Sequence, residues 1–194
     1  MLVSPLKRIF DAGVSLIGLV ASIPIIVVAM LAIRLETPGW PLFAQSRVGR
    51  GEKPFICYKL RTMYADTRQL PTHETRASAV TPLGAWLRKW KFDELPQLYN
   101  VLIGDMSLVG PRPCLLTQLE LIRLRASLGV FAVRPGVTGL AQVSGIDMSD
   151  AKRLAAVDAQ YVRAADFKGD LGLIVATVMG KGLGIDRAPA KPKL

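Results

Sequence analysis

The 22 residues from Ala12 to Ile33, AGVSLIGLVASIPIIVVAMLAI, contain no charged side chain, and this run constrains the fold more than any other feature. As a helix rising about 1.5 Å per residue, about 20 apolar residues match a hydrocarbon core about 30 Å thick. A cleaved leader would have a shorter apolar region ending at a small-x-small site. Here apolar residues continue to Arg34 with no Ala-x-Ala. Ser22-Ile23-Pro24 lies mid-run. A proline there removes a backbone donor and crowds the carbonyl four residues earlier, which bends or breaks a helix. Lys7 and Arg8 precede the run, and Arg34, Arg47, Arg50 and Lys53 follow it. Lys and Arg accumulate on cytoplasmic flanks, so positive charge on both sides argues against a simple crossing. Two courses fit: a bent spanning helix, or a re-entrant one that breaks at Ser22 and Pro24 and returns to the side it came from.

The rest divides simply. Residues 1–35 form the membrane segment, 36–186 one folded domain, and 187–194, RAPAKPKL, a Pro- and Lys-rich tail expected to fray. The chain has 194 residues, 51% of them apolar, which excludes general disorder. Two cysteines, Cys57 and Cys114, and a single histidine, His73, exclude a Cys-rich zinc module, a His-based zinc site and a disulfide framework. The 25 basic against 15 acidic residues give a net charge of +10, which favours anionic partners: nucleic acid, acidic lipid or a phosphorylated substrate.

Residues 42–63 read as two short strands around a Gly-Arg-Gly-Glu-Lys-Pro turn, and 65–81 as a polar, Thr-rich loop holding His73. In Pro82–Lys91, Leu83, Trp86, Leu87 and Trp90 fall on one helical face, with Arg88, Lys89 and Lys91 elsewhere. A basic helix with Trp on its apolar face suits a bilayer interface, although a core-facing helix with solvated lysines has the same pattern. Leu115–Leu128 predicts a second helix with Leu115, Leu119 and Ile122 along one side. Asp170–Met179 predicts a third, whose apolar residues read as ordinary core. The fold class is mixed α/β.

The chain lacks G-x-x-x-x-G-K-[ST], which excludes a Walker-type phosphate loop. The chemistry concentrates in Phe92–Pro113, FDELPQLYNVLIGDMSLVGPRP. Asp93 and Glu94 are adjacent carboxylates, commonly no more than a solvated cap. Here Pro96 fixes the chain beyond them, Arg88 precedes them, and Pro111-Arg112-Pro113 sets Arg112 on a stiff stem. A stiff guanidinium suits bidentate phosphate binding. In the strand Tyr58–Thr62, Lys59 and Arg61 share a face by the two-residue period. They are placed either to bind phosphate or to brace the sheet. In Arg134–Gly139, RPGVTG, Gly136 and Gly139 would let backbone N–H groups approach an anion. Carboxylates amid cations point to a nucleophile or metal ligand working on a phosphate. Neighbouring cations would keep Asp93 ionised, and oxygen-held Mg²⁺ would neutralise a diphosphate.

The chain resembles the bacterial sugar transferases, the small monotopic phosphoglycosyl transferases that act on polyprenyl phosphate. The resemblance runs from Lys7-Arg8-x-x-Asp11 through Phe43-x-Gln45-x-Arg47-x-Gly49, Tyr58-Lys59-x-Arg61-Thr62-Met63, DELPQLYNVLIGDMSLVGPRP and Arg134–Val143, RPGVTGLAQV, to about Thr177. It implies a catalytic domain with interfacial amphipathic helices, a re-entrant helix broken at Ser22 and Pro24, and a site on the cytoplasmic face of the bacterial inner membrane. It also implies Asp93 as nucleophile, with Glu94 helping to hold Mg²⁺. Asp93 would attack the sugar-bearing phosphorus of a nucleoside-diphosphate sugar, typically a UDP-sugar, releasing UMP. Polyprenyl phosphate would then take the phosphosugar from the aspartyl intermediate.

Substrate-contact candidates are Arg112, Arg88, Lys59, Arg61, Arg134, Gly136 and Gln142. Asp158 and Tyr161 share a helix face and either reach the site or make structural hydrogen bonds. Lys7, Arg8 and Asp11 are candidates for anchoring the membrane helix. After Val143 the family often has an Asn-Gly-Arg-like turn, whereas this chain has Ser144-Gly145-Ile146, which leaves the sugar open. Two other classes compete. A basic nucleic-acid module has only the net charge in its favour and no recognition motif, so no nucleic-acid partner is expected. A catalytically silent membrane scaffold would not need Asp93, Glu94 and Arg112.

Overall fold

A computed structural model describes residues 5–65 and 79–181. His73 and the 187–194 tail lie outside the described residues. The first element, α1 (Pro5–Glu36), is a continuous helix with Pro24 inside it. Ser22 bridges the proline region by donating from Oγ to the Leu19 carbonyl at 3.0 Å.

The uncharged run hides two different faces. Asp11, Ser15, Ser22, Ala29 and Ile33 are buried, and they fall at the alternating three- and four-residue steps of one helical stripe. Gly18 and Ile26 fill the same stripe: a Cβ on Gly18 would lie 3.2 Å from Leu98, and Ile26 packs with Leu60 and Leu87. Small side chains let α1 lie close against α3 (Gln97–Ile103). The opposite face carries Leu16, Ile17, Val20, Val27, Val28 and Leu31, each about half exposed or more. Only 17% of the most apolar window of α1 is buried in protein. An apolar surface of that extent marks contact with lipid or another protein.

Both ends of α1 are tied to the same folded body. Near the N-terminus Lys7 bonds the Asp170 carboxylate and the Val109 carbonyl, Arg8 donates to the Val101 and Leu102 carbonyls (2.6 and 2.7 Å), and Asp11 accepts from Ser107 (2.7 Å). At the C-terminus Glu36 accepts from Leu83 N–H (2.9 Å), and the Thr37 carbonyl accepts from Arg61 (3.0 Å). Lys7, Arg8 and Asp11 therefore anchor the helix.

The hairpin expected over 42–63 forms as β1 (Leu42–Val48) and β2 (Pro54–Leu60), antiparallel, with Phe43 opposite Lys59. Gly51 and Glu52 turn it with positive φ (62° and 61°). The basic helix forms as α2 (Pro82–Lys89), capped by Thr81 Oγ1 on Gly84 N–H with Pro82 at its first position. A parallel pair, β3 (Ser107–Val109) with β4 (Gly136–Thr138), has no counterpart in the sequence reading. Nor does α5 (Leu140–Val143), while α6 (Ala151–Ala164) carries Asp158 and Tyr161.

Two expectations need correction. The second helix, α4, runs Leu119–Ser127 and buries Leu121 and Arg125 rather than a Leu119 face; Leu119 is 60% exposed. Leu115 is buried, but in an extended segment bridged to Arg47. The third, α7 (Phe167–Val178), is only partly core: Leu173 and Ile174 pack against the core and Asp170 is buried, whereas Val175 and Val178 are 56% and 82% exposed. Asp170 turns inward to meet Lys7 and Tyr161, and Leu171, Val175 and Val178 face outward.

Candidate active site

The turn that presents the two carboxylates begins at Lys91, which takes the left-handed conformation (φ 57°) after α2 ends. That reversal starts a single 3₁₀ turn, Phe92–Glu94, and brings both acids inward: Asp93 is 7% and Glu94 6% exposed. Pro96 then opens α3 with its fixed φ of −61°. Buried carboxylates need charged or hydrogen-bonding partners. Lys59 Nζ and Arg112 Nη2 both donate to Glu94 Oε1, at 2.8 and 2.7 Å. Burial alone would raise the Glu94 carboxyl, but Arg112, Lys59 and Lys91 outweigh it and hold the group well below its ordinary range.

Asn100 explains why Lys59 arrives there. It is fully buried on α3, donates to the Ile56 carbonyl at 2.6 Å and accepts from Tyr58 N–H at 3.1 Å. The sequence reading passed over this residue. Its signal is an amide one turn into the short helix that follows the acid pair.

The other candidates make contacts of their own. Arg61 reaches Thr37 Oγ1 (2.9 Å) and the Thr37 and Pro38 carbonyls (3.0 and 2.5 Å), so it braces the end of α1. Arg88 Nε donates to Thr62 Oγ1 at 2.8 Å on the last turn of α2. Arg134 Nε donates to the Gly104 carbonyl at 2.7 Å; burial, with Arg8 and Arg50 nearby, lowers the affinity of its guanidinium for its proton.

Gly136 N–H donates to the Pro111 carbonyl at 2.9 Å, and a Cβ there would lie within 3.0 Å of main-chain atoms of Gly110. It serves close strand approach, because its N–H is already taken by protein. Gln142 donates from Nε2 to the Val137 carbonyl at 3.0 Å, while its buried Oε1 has no hydrogen-bond partner among the described residues. Asp158 pairs with buried Arg125, and Tyr161 bonds the Val109 carbonyl and Asp170, so both have structural partners. Lys59 and Arg112 are both joined directly to Glu94 of the acid pair.

Among the described residues no group of three or more His, Cys, Asp or Glu side chains converges to hold a metal. Asp93 and Glu94 nevertheless fit Mg²⁺. This ion commonly takes one or two carboxylates, substrate phosphate oxygens and water rather than a cage of protein ligands.

Residues 2–181 match the family described as bacterial sugar transferase. The undecaprenyl-phosphate glucose phosphotransferase of Komagataeibacter xylinus is 36% identical over 185 residues, 89% of this chain and 35% of that protein. The UDP-glucose:undecaprenyl-phosphate glucose-1-phosphate transferase of Caulobacter vibrioides is 38% identical over 181 residues, 89% of this chain and 68% of that one. An exopolysaccharide production protein of Rhizobium meliloti is 35% identical over 190 residues, covering 89% and 83%. The chain thus spans about a third of the Komagataeibacter relative and most of the Rhizobium one.

Proposed function

The chain belongs to the bacterial sugar transferase family, and we propose that it transfers a phosphosugar from a nucleoside-diphosphate sugar to polyprenyl phosphate through a covalent intermediate on Asp93. One observation carries the proposal. Asp93 and Glu94 are buried on one turn, and Glu94 carries two cations, Lys59 and Arg112, on a single oxygen. A nucleophilic carboxylate and a phosphoryl group repel each other unless nearby charge offsets them.

An Asp93 carboxylate oxygen attacks the sugar-bearing phosphorus. The bond from that phosphorus to the bridging oxygen breaks, and the nucleoside monophosphate, UMP for a UDP-sugar, leaves with the electron pair. A phosphate oxygen of the polyprenyl acceptor then attacks the same phosphorus, and Asp93 departs as a carboxylate. Two displacements let one site treat a water-soluble donor and a lipid acceptor in turn. Lys59 and Arg112, both bonded to Glu94, bring positive charge to the acid pair. Mg²⁺ bound at Asp93 and Glu94 would neutralise the donor's diphosphate.

We further propose that α1 is re-entrant and that the domain works on the cytoplasmic face of the bacterial inner membrane. In support, Lys7 and Arg8 at one end and Glu36 and Thr37 at the other all bond the same domain. A helix that crossed the bilayer would separate those ends.

The test is intact-mass analysis after incubation with UDP-sugars and Mg²⁺ in the absence of lipid. A phosphosugar adduct on the Asp93 peptide with release of UMP is expected, and none from Asp93→Asn. UMP release that requires the lipid acceptor would refute the covalent step. Undiminished turnover in EDTA would remove the metal.

A further inference from the structure

Four successive carbonyls around Arg112 are each held by a hydrogen bond. Pro111 accepts from Gly136 N–H (2.9 Å), Arg112 from Arg125 Nη1 (2.8 Å), Pro113 from Arg47 Nη1 (3.0 Å) and Cys114 from Val48 N–H (3.0 Å). The two prolines also fix their own φ. Of these four donors, Arg125 acts on the residue whose side chain meets Glu94. It is 1% exposed, a burial that a guanidinium tolerates only with a partner. That partner is Asp158 on α6, 2% exposed, whose Oδ2 accepts from Arg125 Nε at 2.9 Å and Nη2 at 2.6 Å. The planar fork is therefore oriented from one side by a carboxylate, and its remaining arm is aimed at main chain.

We propose that Arg125, oriented by Asp158, is a positioning residue for Arg112: it fixes the Arg112 carbonyl and thereby aims the Arg112 guanidinium at Glu94. The inference rests on Arg112 and Glu94 belonging to the reactive centre. Arg125 touches no substrate in this scheme. Its effect reaches the chemistry only through Arg112, so it adds nothing once the Arg112 guanidinium is gone.

A lysine at 125 keeps the charge beside Asp158 but cannot serve both partners with a rigid fork. Misplacement by about 1 Å at a reactive centre can lower a rate about 100-fold. Arg125→Lys is therefore expected to lower kcat about 10- to 100-fold, with KM for the nucleotide sugar changing less.

The decisive measurement is a double-mutant cycle in turnover with Arg112→Lys. The double variant is expected to be no slower than Arg112→Lys alone, because the two act in series. Losses that multiply would overturn the proposal. Asp158→Asn, which keeps the arginine but removes its orienting charge, is expected to behave as Arg125→Lys does, and it replaces that variant in the cycle should the lysine protein not fold. Leu154→Ala, on the same helix as Asp158, should lower the melting temperature while leaving turnover per folded molecule unchanged. A matching loss of turnover in Leu154→Ala would mean that any loosening of α6 suffices, and the positioning role would fail. Wild-type turnover in Arg112→Lys beside a slow Arg125→Lys would overturn both this inference and the site it rests on.

Discussion

Gly136→Ala should separate β3 from β4 and loosen the Pro111–Pro113 segment in a single step. An alanine Cβ at this position would lie within 3.0 Å of the Gly110 nitrogen, the Gly110 oxygen and the Thr138 oxygen. All three are main-chain atoms and cannot rotate away as a flexible side chain would. Overpacking costs about 1–3 kcal/mol, and rigid neighbours place this site near about 3. Moving the strands apart also removes the hydrogen bonds from Gly136 N–H to Pro111 and from Gly110 N–H to Thr138, at about 1 kcal/mol each. The expected loss is about 4–5 kcal/mol, a large share of the roughly 5–15 kcal/mol available to a domain. The assay is urea unfolding in detergent micelles followed by far-UV circular dichroism. A slope near 2 kcal/mol/M converts the loss to a midpoint shift of about 2 M. Gly129→Ala is the control: its φ is +71° but no atom lies within 4 Å of the added carbon, so only the left-handed backbone is penalised, by about 1–2 kcal/mol. A Gly136→Ala midpoint no lower than that of Gly129→Ala would refute the reasoning.

Other outcomes follow from the same contacts. The Glu94 carboxyl is depressed in the folded state relative to its ordinary 4.5. The unfolded chain therefore takes up that proton first, and the stability Glu94 contributes is complete above about pH 4.5 and lost as the pH falls below it. Unfolding free energies of wild type and Glu94→Gln should converge over that acid range, and parallel curves would contradict the assignment. Asp170→Asn should weaken the anchor of α1 by about 2 kcal/mol, the value of a hydrogen bond to a charged group, read as a lower melting temperature; an unchanged melt would show that the Lys7 contact contributes nothing. Cysteines at Leu6 and Leu35, both exposed, should react with an impermeant maleimide from the same side of oriented vesicles. Reaction from opposite sides would eliminate the re-entrant course.

The strands of the hairpin and the basic helix were legible because their signals are local: a Gly-rich turn between alternating residues, and Thr81-Pro82 before a periodic apolar face. The acid pair and Arg112 were legible as a motif, and folding joins Arg112 to Glu94. What the sequence hid is set by long-range contact. Lys59 and Arg61 are two apart, yet β2 ends at Leu60, and Arg61 meets carbonyls at the end of α1 while Lys59 meets Glu94. Gly136 reads as an anion cradle until Gly110 is found pressed against it. The outward face of α7 was misread because its apolar composition says nothing of rotation, which the buried Asp170–Lys7 pair determines. The stripe of small residues in α1 was masked by the large apolar residues between them.

That stripe makes the anchor a structural wall of the enzyme. Ile33 and Ala29 complete a cluster with Leu60 at the end of β2 and Leu87 of α2, close in sequence to Lys59 and Arg88. Grafting the domain onto an unrelated hydrophobic leader, or trimming it to a water-soluble fragment, would strip the lining from that cluster and leave Arg61 with no Thr37 to hold. Engineered versions of this protein must carry their own native leash.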